Sequence, residues 1–279
     1  MEASNDGIYS DKISSHKYDV MYGILLYPIV RFAKHSNQIV KLLEIGLGCN
    51  MEYGPGKSAA MWQHLFGKNG EIWEADVDAG CVSKAREKGQ LDGIHTLTGD
   101  QGFLDYTRIC NLFHKFPMLG DKSTVSDWVK VSGGKFDIII DDGSHKNMDI
   151  VNSFDVLFHN ALNPGTGTYK YCSIRLLGNP KFLAGGIYFV EDFQTFRLDV
   201  KTGEFESFTD YIHAWNDQLL TPLENTRNKN LAAKKAEMHR RHPIPKGVKW
   251  IFCQYEACAI GKCESSDCRA SLAFASNAN

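Results

Sequence analysis

Five short apolar runs, at 41–45, 71–75, 94–97, 136–140 and 186–190, alternate with segments of helical periodicity, and each run leads into glycine, aspartate or glutamate. This alternation constrains the chain more than any other feature. Strands that run in the same direction need a crossover of a dozen or more residues between them. Segments 57–66, 79–88 and 148–160 carry helix-forming patterns that fill this role. The pattern predicts a parallel sheet covered by helices on both faces. Before the first strand, 18–36 reads as one or two helices packed on the sheet. After the fifth, 205–219 and 228–239 read as helical, and Pro243 and Pro245 end that stretch. Two further strands at 248–255 and 257–262 are joined so closely that they must pair antiparallel. The predicted organisation is a helical cap region at 1–40, one α/β domain at 41–264 and a loosely held tail at 265–279.

Charge and cysteine usage narrow the function classes. Lys plus Arg number 31 and Asp plus Glu 33, a net charge of −2, too balanced to indicate a nucleic-acid or membrane partner. The most apolar early run, 22–32, contains Pro28 and Arg31 and is shorter than the roughly 20 apolar residues that span a bilayer. Residues 1–11 are polar and do not resemble an export signal, so a cytoplasmic, reducing location is expected. The eight cysteines are then expected as free thiols. Cys253, Cys258, Cys263 and Cys268 recur every five residues, unlike the tighter pairs of a zinc knuckle. Cys253 and Cys258 are expected as small buried thiols of the last two strands. The basic run Lys234, Lys235, His239, Arg240, Arg241 and His242 has no paired aromatic platform, so it reads as a solvated helix face. Trp62, Trp73, Trp128, Trp215 and Trp250 are expected in the core or a substrate wall.

The first strand ends in Leu43-Glu44-Ile45-Gly46-Leu47-Gly48. In a doubly wound sheet, ligands lie at the carboxyl ends of the strands where their order reverses. Gly46 and Gly48 allow close backbone approach to a cofactor. Asp76, at the end of the second strand, is placed to accept both ribose hydroxyls of an adenosine, and Gly99-Asp100-Gln101 follows the third strand on the adenine side. A dinucleotide-binding turn requires a third glycine at position 51, and Met51 occupies it. The same residue breaks the phosphate-binding loop that Gly56-Lys57-Ser58 would otherwise complete. The lengthened turn favours S-adenosylmethionine, which carries no phosphate. Five parallel strands closed by an antiparallel pair is the Rossmann-like seven-stranded methyltransferase pattern.

The fourth strand leads into Asp141-Asp142-Gly143-Ser144-His145 and the fifth into Glu191-Asp192-Phe193-Gln194-Thr195. Adjacent parallel strands deliver both clusters to one rim, where carboxylates suit a hard cation such as Mg²⁺. His145 is placed to take a proton from a substrate hydroxyl. The same acids, with Ser144, can instead cap the helix at 148–160. Two clusters and a histidine on one rim favour the functional reading. Which of Asp141/Asp142 and Glu191/Asp192 would face a cation is open at this stage.

These residues resemble the macrocin and mycinamicin type of sugar O-methyltransferases, class I S-adenosylmethionine-dependent enzymes. The resemblance runs over roughly 8–262, through Ser10-Asp11-Lys12, His16-x-Tyr18, Gly54-x-Gly56 with Ser58 and Met61-Trp62, and Gly99-Asp100-Gln101. Its most specific pieces are Asp141-Asp142-Gly143-Ser144-His145, Ser153-Phe154 with Leu157-Phe158, and Gly185-Gly186-Ile187-Tyr188 with Glu191-Asp192; Tyr255-Glu256 also fits. It implies an O-methyltransferase that uses S-adenosylmethionine and Mg²⁺ on a hydroxylated small molecule, a sugar or glycosylated natural product. The implied metal ligands are Asp142, Asp192 and a glutamate placed at Glu44, with His145 as base and Asp142 beside it. The implied cofactor contacts are Glu44, Gly46, Gly48, Ser58, Asp76, Asp100, Gln101 and Asp141. A homo-oligomer is left open. Segments 111–135 and 166–183 exceed the pattern near the substrate side, so the acceptor does not carry over. Two rival readings are a fold relative with altered chemistry, like the cephalosporin hydroxylase-like branch, and an inactive binding protein.

Overall fold

The computed structural model describes residues 10–102, 123–165, 185–195, 207–221 and 228–263. The strands are β1 (Val40–Ile45), β2 (Gly70–Asp76), β3 (His95–Thr98), β4 (Ile138–Asp141), β5 (Ile187–Val190), β6 (Val248–Gln254) and β7 (Ala257–Lys262). They form one sheet in the order β3-β2-β1-β4-β5-β7-β6. The first five are parallel, while β7 runs antiparallel to both β5 and β6. This is the seven-stranded, Rossmann-like methyltransferase arrangement expected from the sequence. The helices are α1 (Asp11–Ser14), α2 (Asp19–Ser36), α3 (Lys57–Phe66), α4 (Ala79–Glu87), α5 (Ser123–Ser132), α6 (Asn147–Asn160), α7 (Phe208–Leu220) and α8 (Lys229–Arg241). Segment 18–36 is thus one helix despite Pro28, and it ends at Asn37 in the left-handed conformation.

Side-chain alternation along the strands splits the core into two layers. Leu42, Ile138, Ile140, Ile187 and Phe189 face Met21, Leu25 and Leu26 of α2 and Met61 and Trp62 of α3. Leu43, Ile139, Tyr188 and Val190 face Ile150, Phe154, Leu157 and Phe158 of α6 and Phe208 and Trp215 of α7. Helices from both ends of the sequence therefore pin the same central strands. Trp62, Trp128 and Trp215 are buried, as expected of core residues. On α8 no residue is buried; Lys235 and His239 bond Asp217 of α7, while Arg240 and Arg241 bond Glu237.

The free-thiol expectation is corrected. Cys49 is disulfide-bonded to Cys81, Cys253 to Cys258, and Cys263 is also disulfide-bonded. Cys253 and Cys258 are register partners of the β6–β7 hairpin, and Cys253 lies exposed, so they are not a pair of buried thiols. Disulfides persist in oxidising surroundings, so the cysteines no longer argue for a reducing compartment. Among the described residues, no helix is long and apolar enough to cross a membrane. The tail at 265–279, segment 166–183 and residues 111–122 lie outside the described residues.

Candidate active site

The order of strands reverses between β1 and β4, so their carboxyl ends diverge into a crevice. Ile45 pairs with Asp141, and Asp141 with Val190, so Gly46, Asp142 and Glu191 leave the sheet at one level. The glycine turn packs directly on the β4 loop. A Cβ on Gly46 would lie 2.0 Å from the Asp142 carbonyl oxygen, and its φ of 105° is one that side chains disfavour. The turn is held from the other side by β2. Gly46 N–H donates to the Ala75 carbonyl at 2.8 Å and Leu47 N–H to Asp76 Oδ2 at 3.0 Å. The Cys49–Cys81 disulfide ties the same loop to the first turn of α4.

The residues expected to touch a nucleoside divide into two groups. Gly46, Gly48, Asp76 and Asp100 stand on the crevice rim. The half-buried Asp76 carboxylate accepts the Leu47 and Asp78 amides, and Asp100 accepts the Gly102 amide. Ser58 is half-buried in the first turn of α3. Gln101, Asp141 and Glu44 form the second group, buried beneath the rim and bonded within the protein. Gln101 and Asp141 are 5% and 2% exposed, and Gln101 Nε2 donates to Asp141 Oδ1 at 3.1 Å. Asp141 also accepts Ser153 Oγ and the Tyr188 hydroxyl, so it ties the loop after β3 to β5 and α6 beneath the crevice. Burial pushes its pKa up despite those three hydrogen bonds. Glu44 is fully buried and accepts Trp62 Nε1–H at 3.0 Å. Its other oxygen lies 3.1 Å from Lys12 Nζ.

At the rim, Asp142, His145 and Asp192 converge, with one potential ligand atom from each lying within 4.8 Å of the others. His145 Nε2 is 3.9 Å from Asp142 Oδ1 and 3.5 Å from Asp192 Oδ2. Glu44, the expected third ligand, lies outside this group of three. Two carboxylates and an imidazole, partly open to solvent, are a donor set that suits a divalent cation. Both His145 and Asp192 have left-handed backbone, with φ of 56° and 58°. Non-glycine residues hold that conformation only where their surroundings over-determine it. Ser144 Oγ donates to Asp149 Oδ2 at 2.6 Å, and Asn147 Oδ1 accepts the Phe208 amide at 2.7 Å, locking the loop to α6 and α7.

Beneath the trio lies a buried ionic cluster whose central member is Lys12. Its ammonium donates to Asp142 Oδ2 and Glu191 Oε2 at 2.5 Å each. Glu191 also accepts the Tyr22 hydroxyl. Burial alone would push Lys12 down, but Asp142, Glu191 and Glu44 together hold it well above the ordinary lysine value. Burial raises Glu191 well above the carboxylate range against the pull of Lys12, and burial beside Glu44 does the same to Glu74. Burial lifts Asp142 to about 6, with Lys12 opposing. Asp192 is held below the usual carboxylate value, against burial, by the Tyr18 hydroxyl and by His145. Tyr18 donates to Asp192 Oδ1 at 2.6 Å, and His16 Nδ1 lies 3.2 Å from Glu256 Oε2. The sequence pattern left the paired acids open; the fold turns Asp142 and Asp192 to the rim and Asp141 and Glu191 inward. Lys12, His16 and Tyr18 were assigned no role from sequence. The signal for them was their place in the Ser10-Asp11-Lys12 and His16-x-Tyr18 pieces of the resemblance, ahead of an amphipathic helix.

No protein-family model matches the chain. It is 30% identical over 194 residues to mycinamicin VI 2''-O-methyltransferase of Micromonospora griseorubida, covering 66% of this chain and 36% of that protein. It is 24% identical over 229 residues to 8-demethyl-8-alpha-L-rhamnosyl tetracenomycin-C 2'-O-methyltransferase of Streptomyces olivaceus, covering 82% of this chain and 47% of that one. It is 30% identical over 166 residues to demethylmacrocin O-methyltransferase of Streptomyces fradiae, covering 59% of this chain and 30% of that one. The chain thus spans less than half the length of each of these relatives. In structure it matches the MycE methyltransferase of mycinamycin biosynthesis, solved with Mg, SAH and mycinamycin VI. The TM-score is 0.50 at 22% identity, over 89% of this chain and 49% of that one. A second MycE structure, with Mg and SAH, gives 0.50 at 23% identity. Sheet order, glycine turn and structural neighbours agree on a class I methyltransferase fold, and over this span the sequence is similar to three curated O-methyltransferases.

Proposed function

We propose that the protein is an S-adenosylmethionine-dependent, Mg²⁺-assisted O-methyltransferase acting on a hydroxylated small molecule, a sugar or glycosylated natural product. The observation that carries this reading is the convergence of Asp142, His145 and Asp192 on the crevice rim beside the Gly46–Gly48 turn. The O-methyltransferase names of three relatives, and the Mg and SAH bound by MycE, support it. Asp76 accepts the ribose hydroxyls with the lone pairs its two amide bonds leave free, and Asp100 faces the adenine side. Asp142 and Asp192 hold the cation. When bound, the sulfonium supplies an electrophilic methyl group and Mg²⁺ a positive charge that orients the acceptor oxygens and eases ionisation of the attacking hydroxyl. His145 accepts the hydroxyl proton through Nε2, which faces both carboxylates. The rest of the site contributes alignment: the buried Asp141, Gln101 and Ser153 network fixes the loops so that acceptor and methyl donor meet in line. The test is incubation with methyl-labelled S-adenosylmethionine and a panel of polyols and glycosides, with and without Mg²⁺. Metal-dependent label in an ether product is expected. Cofactor binding with no transfer to any hydroxylated acceptor would count for an inactive binding protein instead.

A further inference from the structure

We propose that Lys12 and Tyr18 are positioning residues that divide the two rim carboxylates, each anchoring one oxygen and leaving the other for the cation; this rests on the metal reading above. The two carboxylates are treated alike. Asp142 gives Oδ2 to Lys12 Nζ at 2.5 Å and turns Oδ1 toward His145. Asp192 gives Oδ1 to the Tyr18 hydroxyl at 2.6 Å and turns Oδ2 toward His145. The Tyr18 oxygen also accepts the Asp192 amide at 3.2 Å, so one hydroxyl grips both the side chain and the left-handed backbone of that residue. Both anchors are rigid: Lys12 is 1% exposed and Tyr18 fully buried. They lie six residues apart in one polar stretch that crosses the ends of β4 and β5.

A carboxylate free to rotate must be ordered when it binds a cation, whereas a carboxylate already pinned through its second oxygen meets the cation prepared. A buried lysine also costs desolvation, so packing alone is a poor reason to place an ammonium among three carboxylates. The alternative role, a simple counter-charge, makes the opposite prediction for metal affinity. Removing Lys12 makes the site one charge more negative. If Lys12 only neutralises, a divalent cation should then bind more tightly; if it positions Asp142, binding should weaken.

The experiment titrates Mn²⁺ alone into the full chain and reads free Mn²⁺ by electron paramagnetic resonance. The chain, Tyr18→Phe, Lys12→Met and Asp192→Asn are compared, with calorimetric S-adenosylhomocysteine affinity as the control. The unsubstituted chain should bind one Mn²⁺ and Asp192→Asn none. Tyr18→Phe keeps the ring that stacks on His16 and should bind Mn²⁺ about tenfold more weakly with unchanged S-adenosylhomocysteine affinity. In turnover, Tyr18→Phe should raise the KM for Mg²⁺ while kcat recovers at saturating Mg²⁺. Lys12→Met should also bind more weakly despite its added negative charge; if it does not fold, Tyr18→Phe decides. Unchanged affinity in Tyr18→Phe, or tighter binding in Lys12→Met, overturns the positioning role and leaves the metal reading standing. No Mn²⁺ binding by the unsubstituted chain overturns both.

Discussion

Breaking the Cys49–Cys81 disulfide should destabilise the chain by an amount set by its spacing in sequence. The two residues are 32 apart, and the bond joins the loop after β1 to the first turn of the helix after β2. In the chain-entropy account, closing a loop of that length in the unfolded state removes about 12 cal/mol/K, or about 3.7 kcal/mol at 25 °C. Native contacts should change little, because the Gly46, Leu47 and Gly56 amides hold the loop independently of the sulfurs. With a urea slope of about 3 kcal/mol/M, the unfolding midpoint of Cys49→Ser/Cys81→Ser should fall by roughly 1 M. Either single substitution should match the pair, since each breaks the same bond. The Cys253–Cys258 bond closes a separation of only 5, for which the same relation gives about 2 kcal/mol. Urea melts followed by circular dichroism under non-reducing conditions would measure both. A Cys49→Ser/Cys81→Ser midpoint equal to that of the unsubstituted chain, or a larger loss at the hairpin bond, would refute the reasoning. So would titration of Cys49 and Cys81 as free thiols in denaturant.

Asp76→Ala should weaken S-adenosylmethionine binding by about tenfold or more, since each hydrogen bond to a charged acceptor is worth about 1.5–3 kcal/mol; unchanged calorimetric affinity in a folded variant would exclude the ribose role. EDTA should abolish methyl transfer and Mg²⁺ restore it, and Asp142→Asn should lose turnover while still binding cofactor. Full turnover in excess chelator would leave both acids as structural groups. His145→Ala should lower kcat by about 10² to 10⁴ with cofactor affinity unchanged, whereas recovery by excess Mg²⁺ would show that it only braces the Asp142 loop. Asp217 is held down at about 2, against burial, by Lys235, His239 and Thr221. That value lies below the unfolded carboxyl value of about 3.9, so the stabilisation is complete above it and fades as the pH falls toward 2. The stability difference between the chain and Asp217→Asn should therefore shrink from pH 6 to pH 2, and a constant difference in denaturant melts would contradict this.

The sheet was legible from sequence because its cause is local. Short apolar runs, separated by crossovers with helical period, leave few alternatives, and the short link between the last two strands admits only a hairpin. The rim was legible for the same reason: residues that end parallel strands must emerge on one edge, so Asp142, His145 and Asp192 were named in advance. Other features needed the tertiary structure. Neighbouring acids such as Asp141 and Asp142 are equivalent in a pattern, and only the packing of Ser153, Tyr188 and Gln101 around Asp141 decides which one turns inward. The neighbours of Glu44, a lysine 32 residues earlier in the chain and a tryptophan 18 residues later, likewise follow only from the packed fold. The Cys49–Cys81 pairing also depends on the parallel registry of β1 and β2, which brings the two residues together. Lys12 meets Asp142 and Glu191 across 130 and 179 residues of chain. Contacts so distant leave no periodicity in the sequence, because only the closed sheet brings their elements together.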